Sequence, residues 1–200
     1  MIKNVVFDAG QVMVRFDPWY IAGKFLTDPQ DVDLVAPVLF DRLYWDRLDA
    51  GTITDEEVLR LSHERLPERL WEVADQVYYN WIYNIPLIEG MEELVCWVRD
   101  QRQKRVFLLS NICTYFSDRA EEFPWLSLFE KCIFSAECGM TKPNPEIFEH
   151  LCRVCGLKTE ETVFIDDNPK NIQAAQRLGI RGYVFDGDAQ KLRHWLEEIL

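Results

Sequence analysis

At 200 residues and 48% hydrophobic content, the chain carries enough apolar material for one sizeable core with a modest insertion, and too little for several domains. Its formal charge of −12 sets most of the surface against polyanions, which excludes a general nucleic-acid or anionic-membrane binder. An anionic small substrate would therefore need a locally positive site made of metal, lysine or oriented backbone N–H groups.

Met1 to Lys3 lead into a short apolar run that stops at Asp8, far short of the roughly 20 residues a membrane span requires. This start predicts a cytoplasmic protein without a secretory leader. Asn4–Asp8 itself reads as a buried strand. The stretch from Phe16 to Ile85 then offers helical patterns, rich in Trp and Tyr, with no convincing strand. Within it Asp17-Pro18 marks a helix start, and Thr54 with Glu57 has the spacing of a capping box.

Beyond that stretch, strand and helix alternate. Helical periodicity over Glu89–Gln101 precedes strands at Arg105–Ser110 and Lys131–Phe134. A helix over Asn144–Cys155, a strand over Thr162–Ile165, a helix over Pro169–Leu178, a strand over Arg181–Phe185 and a helix over Gln190–Leu200 follow. Gly156 and Gly179 stand where helices commonly end in a left-handed residue. The pattern predicts an α/β fold with a doubly wound parallel sheet, split into a core of residues 1–15 and 86–200 and an inserted helical subdomain of residues 16–85. In such sheets ligands bind beyond the carboxyl ends of the strands, so the residues closing each strand become the candidates for function.

Six cysteines lie mostly among apolar residues, which fits core thiols in a reducing compartment better than disulfides. Cys152 and Cys155 form a CxxC, but on one helical stripe with no second pair to complete a zinc site. His63, His150 and His194 are isolated at helical positions and suggest surface or packing roles.

The strand ends carry Asp8, Ser110-Asn111, Lys142 and Asp166-Asp167: a carboxylate, a hydroxyl with backbone donors, a cation and a carboxylate pair. Singly, each has an ordinary explanation as a turn residue, a solvated loop lysine or a helix cap. Together they describe a phosphate site. A carboxylate attacks phosphorus only when its repulsion from the phosphate is cancelled, and Mg²⁺ on oxygen ligands such as Asp8, Asp166 and Asp167 does this. Charge developing on the phosphoryl oxygens needs donors, which Ser110, the Asn111 N–H and Lys142 supply.

Four segments, VVFDAGQV, LLSN, GMTKPNPEIF and VFIDDNPKNIQAA, resemble in order and spacing the four motifs of the haloacid dehalogenase superfamily. The resemblance implies a Rossmann-like core with a small α-helical cap inserted after the first strand, and PLIEG at residues 86–90 resembles the return to the core. It implies that Asp8 forms an aspartyl-phosphate, that Ser110 and Asn111 bind phosphoryl oxygens, and that Lys142 bridges nucleophile and phosphate. It implies Mg²⁺ on Asp8, Asp167, Asp166 and the Gly10 carbonyl, and a small phosphorylated metabolite as substrate. Oligomeric state is not readable from these features.

One departure matters. Phosphatases of the superfamily mostly carry a second aspartate two residues after the nucleophile, as general acid and base; this chain has Gly10. Losing that proton transfer typically costs about 10²–10⁴-fold on poor leaving groups without abolishing phosphoryl transfer. A branch resembling α-D-glucose-1-phosphate phosphatases shares the FDxG start and FxDDN ending, which favours a sugar phosphatase. Asp17 either folds back over the site to replace the acid or caps the first inserted helix. The alternatives are a non-catalytic or regulatory binding protein, supported only by Gly10, and a haloacid dehalogenase, for which a metal-binding carboxylate pair has little use. On the cap, Tyr44 and Trp45 are candidates for substrate contact, or simply pack the cap helices.

Overall fold

A computed structural model describes residues 1–200. The strands are β1 (Asn4–Phe7), β2 (Arg105–Ser110), β3 (Lys131–Phe134), β4 (Thr162–Asp166) and β5 (Arg181–Val184), all parallel in the order β3-β2-β1-β4-β5. All four β1 residues are buried because the strand is central, with Val6 in register with Phe107 on one side and Phe164 on the other. Chain order runs outward from β1 in both directions, which places the topological switch point at its carboxyl end. The strand ends one residue short of the predicted Asn4–Asp8, yet the Asp8 N–H still donates to the Ile165 carbonyl at 2.9 Å. Conversely, β4 gains Asp166, and Phe185 falls just outside β5.

Alternation along each strand feeds two apolar layers. Val6, Phe107, Leu109 and Phe164 face one side, where α9 (Pro145–Cys155) and α10 (Pro169–Arg177) supply Ile147, Phe148, Leu151, Ile172 and Ala175. Val5, Phe7, Val106, Leu108 and Ile165 face the other, against α6 (Met91–Cys96) and α11 (Ala189–Ile199). The predicted helix over 89–101 is therefore shorter as an α-helix, and its last turn, Trp97–Gln101, widens to a π-helix.

Between β1 and β2 the chain forms α1 (Pro18–Ala22), α2 (Pro29–Leu39), α3 (Arg42–Asp49), α4 (Asp55–His63) and α5 (Trp71–Asn80), with no strand. Side chains of Asp17, Asp28, Asp41 and Thr54 accept from first-turn amides and fix four of these starts, those at Asp17 and Thr54 as predicted and those at Asp28 and Asp41 in addition. The chain leaves and returns through adjacent linkers: Arg15 N–H donates to the Pro86 carbonyl at 2.8 Å, and Ile88 N–H to the Met13 carbonyl at 2.9 Å. Phe16, Phe40, Trp45 and Trp81 pack edge-on or tilted at 5.0–5.6 Å. Trp81 then stacks on Phe116 of α7 (Thr114–Ser117) at 6.1 Å, so the helical segment and the sheet share one continuous apolar cluster. All six cysteines are free thiols.

Gly182 of β5 sits where a Cβ would lie 2.5 Å from Ile172 Cγ2 of α10. The β-branched Ile172 has few rotamers in which to retreat. Gly182→Ala should cost about 1–3 kcal/mol by overpacking, measured as a lower denaturant midpoint at unchanged m-value; an unchanged midpoint would show that α10 shifts freely against β5.

Candidate active site

The carboxyl ends of β1, β2 and β4 converge on one ammonium group. Lys142, on the loop beyond β3 and α8 (Ser135–Cys138), is 4% exposed and places Nζ 2.8 Å from Asp8 Oδ1 and 2.7 Å from Asp166 Oδ2. Its position is fixed from behind by Asn111, whose Nδ2 donates to the Lys142 carbonyl at 2.9 Å and whose Oδ1 accepts the Lys142 N–H at 2.8 Å. Burial works against the lysine charge, but attraction to Asp8 and Asp166 prevails and holds its pKa above the usual range.

Asp166 is wholly buried and saturated. It accepts from Lys142, from the Asn168 N–H at 2.8 Å and, through both oxygens, from Asn171 Nδ2 at 3.0 Å. Asp8 takes the Ala9 N–H at 2.7 Å on the oxygen that meets Lys142, leaving Oδ2 without a donor. Burial pushes the Asp8 carboxyl up to about 8, with Lys142 opposing the shift and Asp166 and Asp167 adding to it. Asp167, the most open of the three, is also raised, by burial and then by Asp166.

Ligand oxygens of Asp8, Asp166 and Asp167 lie within 4.8 Å of one another, and the Gly10 carbonyl accepts no hydrogen bond within the protein. An all-oxygen donor set with excess negative charge suits a hard divalent cation such as Mg²⁺. Beside it, the N–H groups of Gly10 and Asn111 have no acceptor, and the buried Ser110 hydroxyl makes only a 3.4 Å contact to the Asn111 carbonyl. The site thus holds three uncommitted donors for an oxyanion next to the cation cluster. A cavity of about 480 Å³, lined by Gln11, Arg15, Ile88, Phe185 and Gly187, opens beside Asp167.

Asp8, Ser110, Asn111, Lys142, Asp166, Asp167 and Gly10 therefore come together at the strand ends. The side chain of Asn111 is spent on Lys142, so only its N–H remains for a ligand. Asp17 is committed elsewhere: its carboxylate accepts the Trp19 and Tyr20 N–H groups at 3.1 Å and pairs with Arg15 at 3.0 Å. Those hydrogen bonds outweigh burial and lower its pKa, which makes it a poor proton donor at neutral pH.

Tyr44 and Trp45 do not face the strand ends; both are buried. Trp45 Nε1 donates to the Leu39 carbonyl at 2.7 Å and its ring lies in the aromatic cluster, while the Tyr44 hydroxyl accepts from Arg65 at 3.1 Å. The physical reason is their helical phase: with Leu48 they form the apolar stripe of α3. Sequence reasoning missed Asn171, although an amide on the buried face of α10, five residues after Asp166, was a usable signal.

Lys142→Met removes the cation that pairs with the buried Asp166 and pushes Asp8 further toward its neutral form. Without added metal it should lose about 3–5 kcal/mol of stability at neutral pH, by chemical denaturation. The loss should shrink at acid pH as the carboxylates take up protons, and a pH-independent loss would count against the charge argument.

A family model described as haloacid dehalogenase-like hydrolase matches residues 3–179. The chain is 25% identical to a D-ribitol-5-phosphate phosphatase from Bacteroides thetaiotaomicron, over 100% of this chain and 97% of that one. Among solved structures, a predicted HAD-like family hydrolase from Porphyromonas gingivalis superposes with a TM-score of 0.75 at 27% identity, covering 100% of this chain and 98% of that one. A HAD family enzyme from Bacteroides thetaiotaomicron, in complex with magnesium and inorganic phosphate, superposes with a TM-score of 0.70 at 26% identity, covering 96% and 99%. With the parallel sheet, the four motifs at its strand ends and a match over most of its length, the chain belongs to the haloacid dehalogenase-like hydrolase family.

Proposed function

We propose that this chain is a Mg²⁺-dependent phosphatase that hydrolyses a small phosphorylated metabolite through an aspartyl-phosphate on Asp8. The observation that carries the reading is the bridge of Lys142 between Asp8 and Asp166, beside free donors from Ser110, Asn111 and Gly10. A buried nucleophilic carboxylate can approach an anionic phosphate only where cations and N–H groups outnumber its own charge, and this site supplies them. Asp8, Asp166, Asp167 and the Gly10 carbonyl would hold Mg²⁺, which when bound neutralises phosphate charge and polarises the phosphoryl group.

Within this reading Asp8 Oδ2, free of donors, is the attacking oxygen. Lys142 and the Asn111 and Gly10 amides hold the phosphoryl oxygens, and Asn171 keeps Asp166 oriented. Residues 16–85 act as the cap over the strand ends, with residues 1–15 and 86–200 as the core. A polyol or sugar phosphate is the substrate class we favour, in keeping with the ribitol-phosphate relative and the resemblance to glucose-1-phosphate phosphatases. A cytoplasmic setting accords with six free thiols and with the absence of any helix long and apolar enough to cross a membrane.

The test is phosphate release from ribitol 5-phosphate, glucose 1-phosphate, glucose 6-phosphate, nucleotides and p-nitrophenyl phosphate, with Mg²⁺ or EDTA. Release should require Mg²⁺, and Asp8→Asn should keep the fold while removing turnover by several orders of magnitude. Activity in Asp8→Asn equal to wild type would reject Asp8 as nucleophile.

The raised Asp8 pKa adds a second expectation. Below about pH 8 Mg²⁺ must displace a proton from Asp8, so its apparent affinity should fall as pH falls, by about tenfold per unit for one proton. Titration calorimetry in buffers of different ionisation enthalpy reads that proton directly. Affinity that is flat between pH 6 and 8 would show that no Asp8 proton is released on binding.

A further inference from the structure

Gly10 stands where the family's acid-base aspartate belongs, and a Cβ built there would meet nothing within 4 Å. A leaving oxygen must take its proton from another group. Asp8, Asp166 and Asp167 are committed to attack or cation binding, Lys142 is held between two carboxylates, and Asp17 is locked in a helix cap.

The last residue of α3 is different. Opposite the buried Tyr44, Trp45 and Leu48, this helix carries a polar face of Arg42, Asp46 and Asp49, spaced i, i+4 and i+7, in which Arg42 and Asp46 pair at 3.0 Å. Its C-terminal turn is fastened to the catalytic loops. Ser135 Oγ donates to the Asp49 carbonyl at 2.6 Å and accepts the Ile112 N–H at 2.9 Å, immediately after Ser110-Asn111. Gly51, at φ +66°, lets the chain pass so close to α8 that a Cβ would lie 3.2 Å from the Ala136 carbonyl.

Asp49 is half-buried, and its carboxyl makes no hydrogen bond and no ion pair in the protein. The charged or titratable groups acting on it are Arg42 and Asp46 from its own helix, Lys142 from the strand-end cluster and the Cys113 thiol from the loop after β2. Through Ser135 and Ile112 the Asp49 end of α3 is held against the loop that follows Ser110-Asn111. Burial pushes the Asp49 carboxyl up to about 7, with Arg42 and Lys142 opposing and Asp46 adding, which suits a group that gives and takes protons near neutral pH.

We propose that Asp49, brought to the strand ends by the helical insertion, is the general acid and base that Gly10 cannot provide. This rests on the phosphatase reading above. In the first step Asp8 forms an oxygen–phosphorus bond, the bond to the leaving oxygen breaks, and its electron pair takes the proton of Asp49. In the second, water attacks the phosphorus of the aspartyl-phosphate and passes a proton to the Asp49 carboxylate, and the bond electrons return to Asp8. The sum is phosphomonoester plus water to alcohol plus phosphate, with Asp49 restored.

The test compares an alkyl phosphate, the fastest for wild type among ribitol 5-phosphate, glucose 1-phosphate and glucose 6-phosphate, with p-nitrophenyl phosphate, whose leaving group needs no proton. Asp49→Asn should lower kcat on the alkyl phosphate by about 10²–10⁴-fold with KM little changed. With p-nitrophenyl phosphate it should still give a stoichiometric burst of nitrophenolate followed by slow turnover. Asp49→Glu should keep part of the activity, and Gly10→Asp in the Asp49→Asn background should restore it. Wild-type turnover of the alkyl phosphate by Asp49→Asn, or equal loss of burst and alkyl turnover without rescue by either second variant, overturns the proposal. Silence of the wild type on every phosphate overturns the phosphatase reading first and this one with it.

Discussion

One buried ammonium group organises the protein. Three carboxylates approach one another at the ends of β1 and β4, in a chain already carrying a net charge of −12, and Lys142 is the cation that makes this tolerable. Everything around it serves its placement. Asn111 holds the lysine backbone from β2, Asn171 holds Asp166 from α10, and the central position of β1 brings Asp8 to the same point. Burial raises the Asp8 pKa while Lys142 pulls it down, so this carboxyl is kept close to the boundary between charged and neutral. A carboxyl left in that state is readily shifted to its charged form by a cation bound beside it.

The strand ends were legible because several short-range signals agreed there. Apolar runs bounded by Asp, Ser-Asn and Asp-Asp locate the sheet, and backbone geometry alone brings consecutive parallel strand ends together. Helix starts at Asp17, Thr54 and Asn168 were legible for the same reason, since a cap is decided within four residues. Side-chain direction in the inserted helices was not. Whether Tyr44 is buried or turned outward depends on the rotation of α3 about its axis, which is set in part by Phe16 and Trp81, both remote from α3 in sequence. Aromatic residues near a predicted site invite a functional reading, and here their apolar faces were worth more in the core.

The inserted helices are not a separate body laid on the sheet. Their apolar residues join those of the sheet face that packs on α6 and α11 in one cluster, and Tyr115 of α7 donates to the Tyr79 carbonyl at 2.8 Å across the junction. Two linkers, hydrogen-bonded side by side at Arg15 and Pro86, confine the insertion to one attachment. Packing fixes it at one end and the Ser135 contact to α3 at the other. A change in the helical segment is therefore felt at the loop after β2, through Ser135 and Ile112.

The stacking of Trp81 on Phe116 has a practical side. Indole emission responds to the polarity around the ring, and this indole, 3% exposed, sits where the inserted helices meet the sheet. Any separation of the two would admit water to a ring that is otherwise dry. Trp81 is one of seven tryptophans, so with the other six replaced by Phe its emission becomes an optical gauge of that junction, readable in solution without a label.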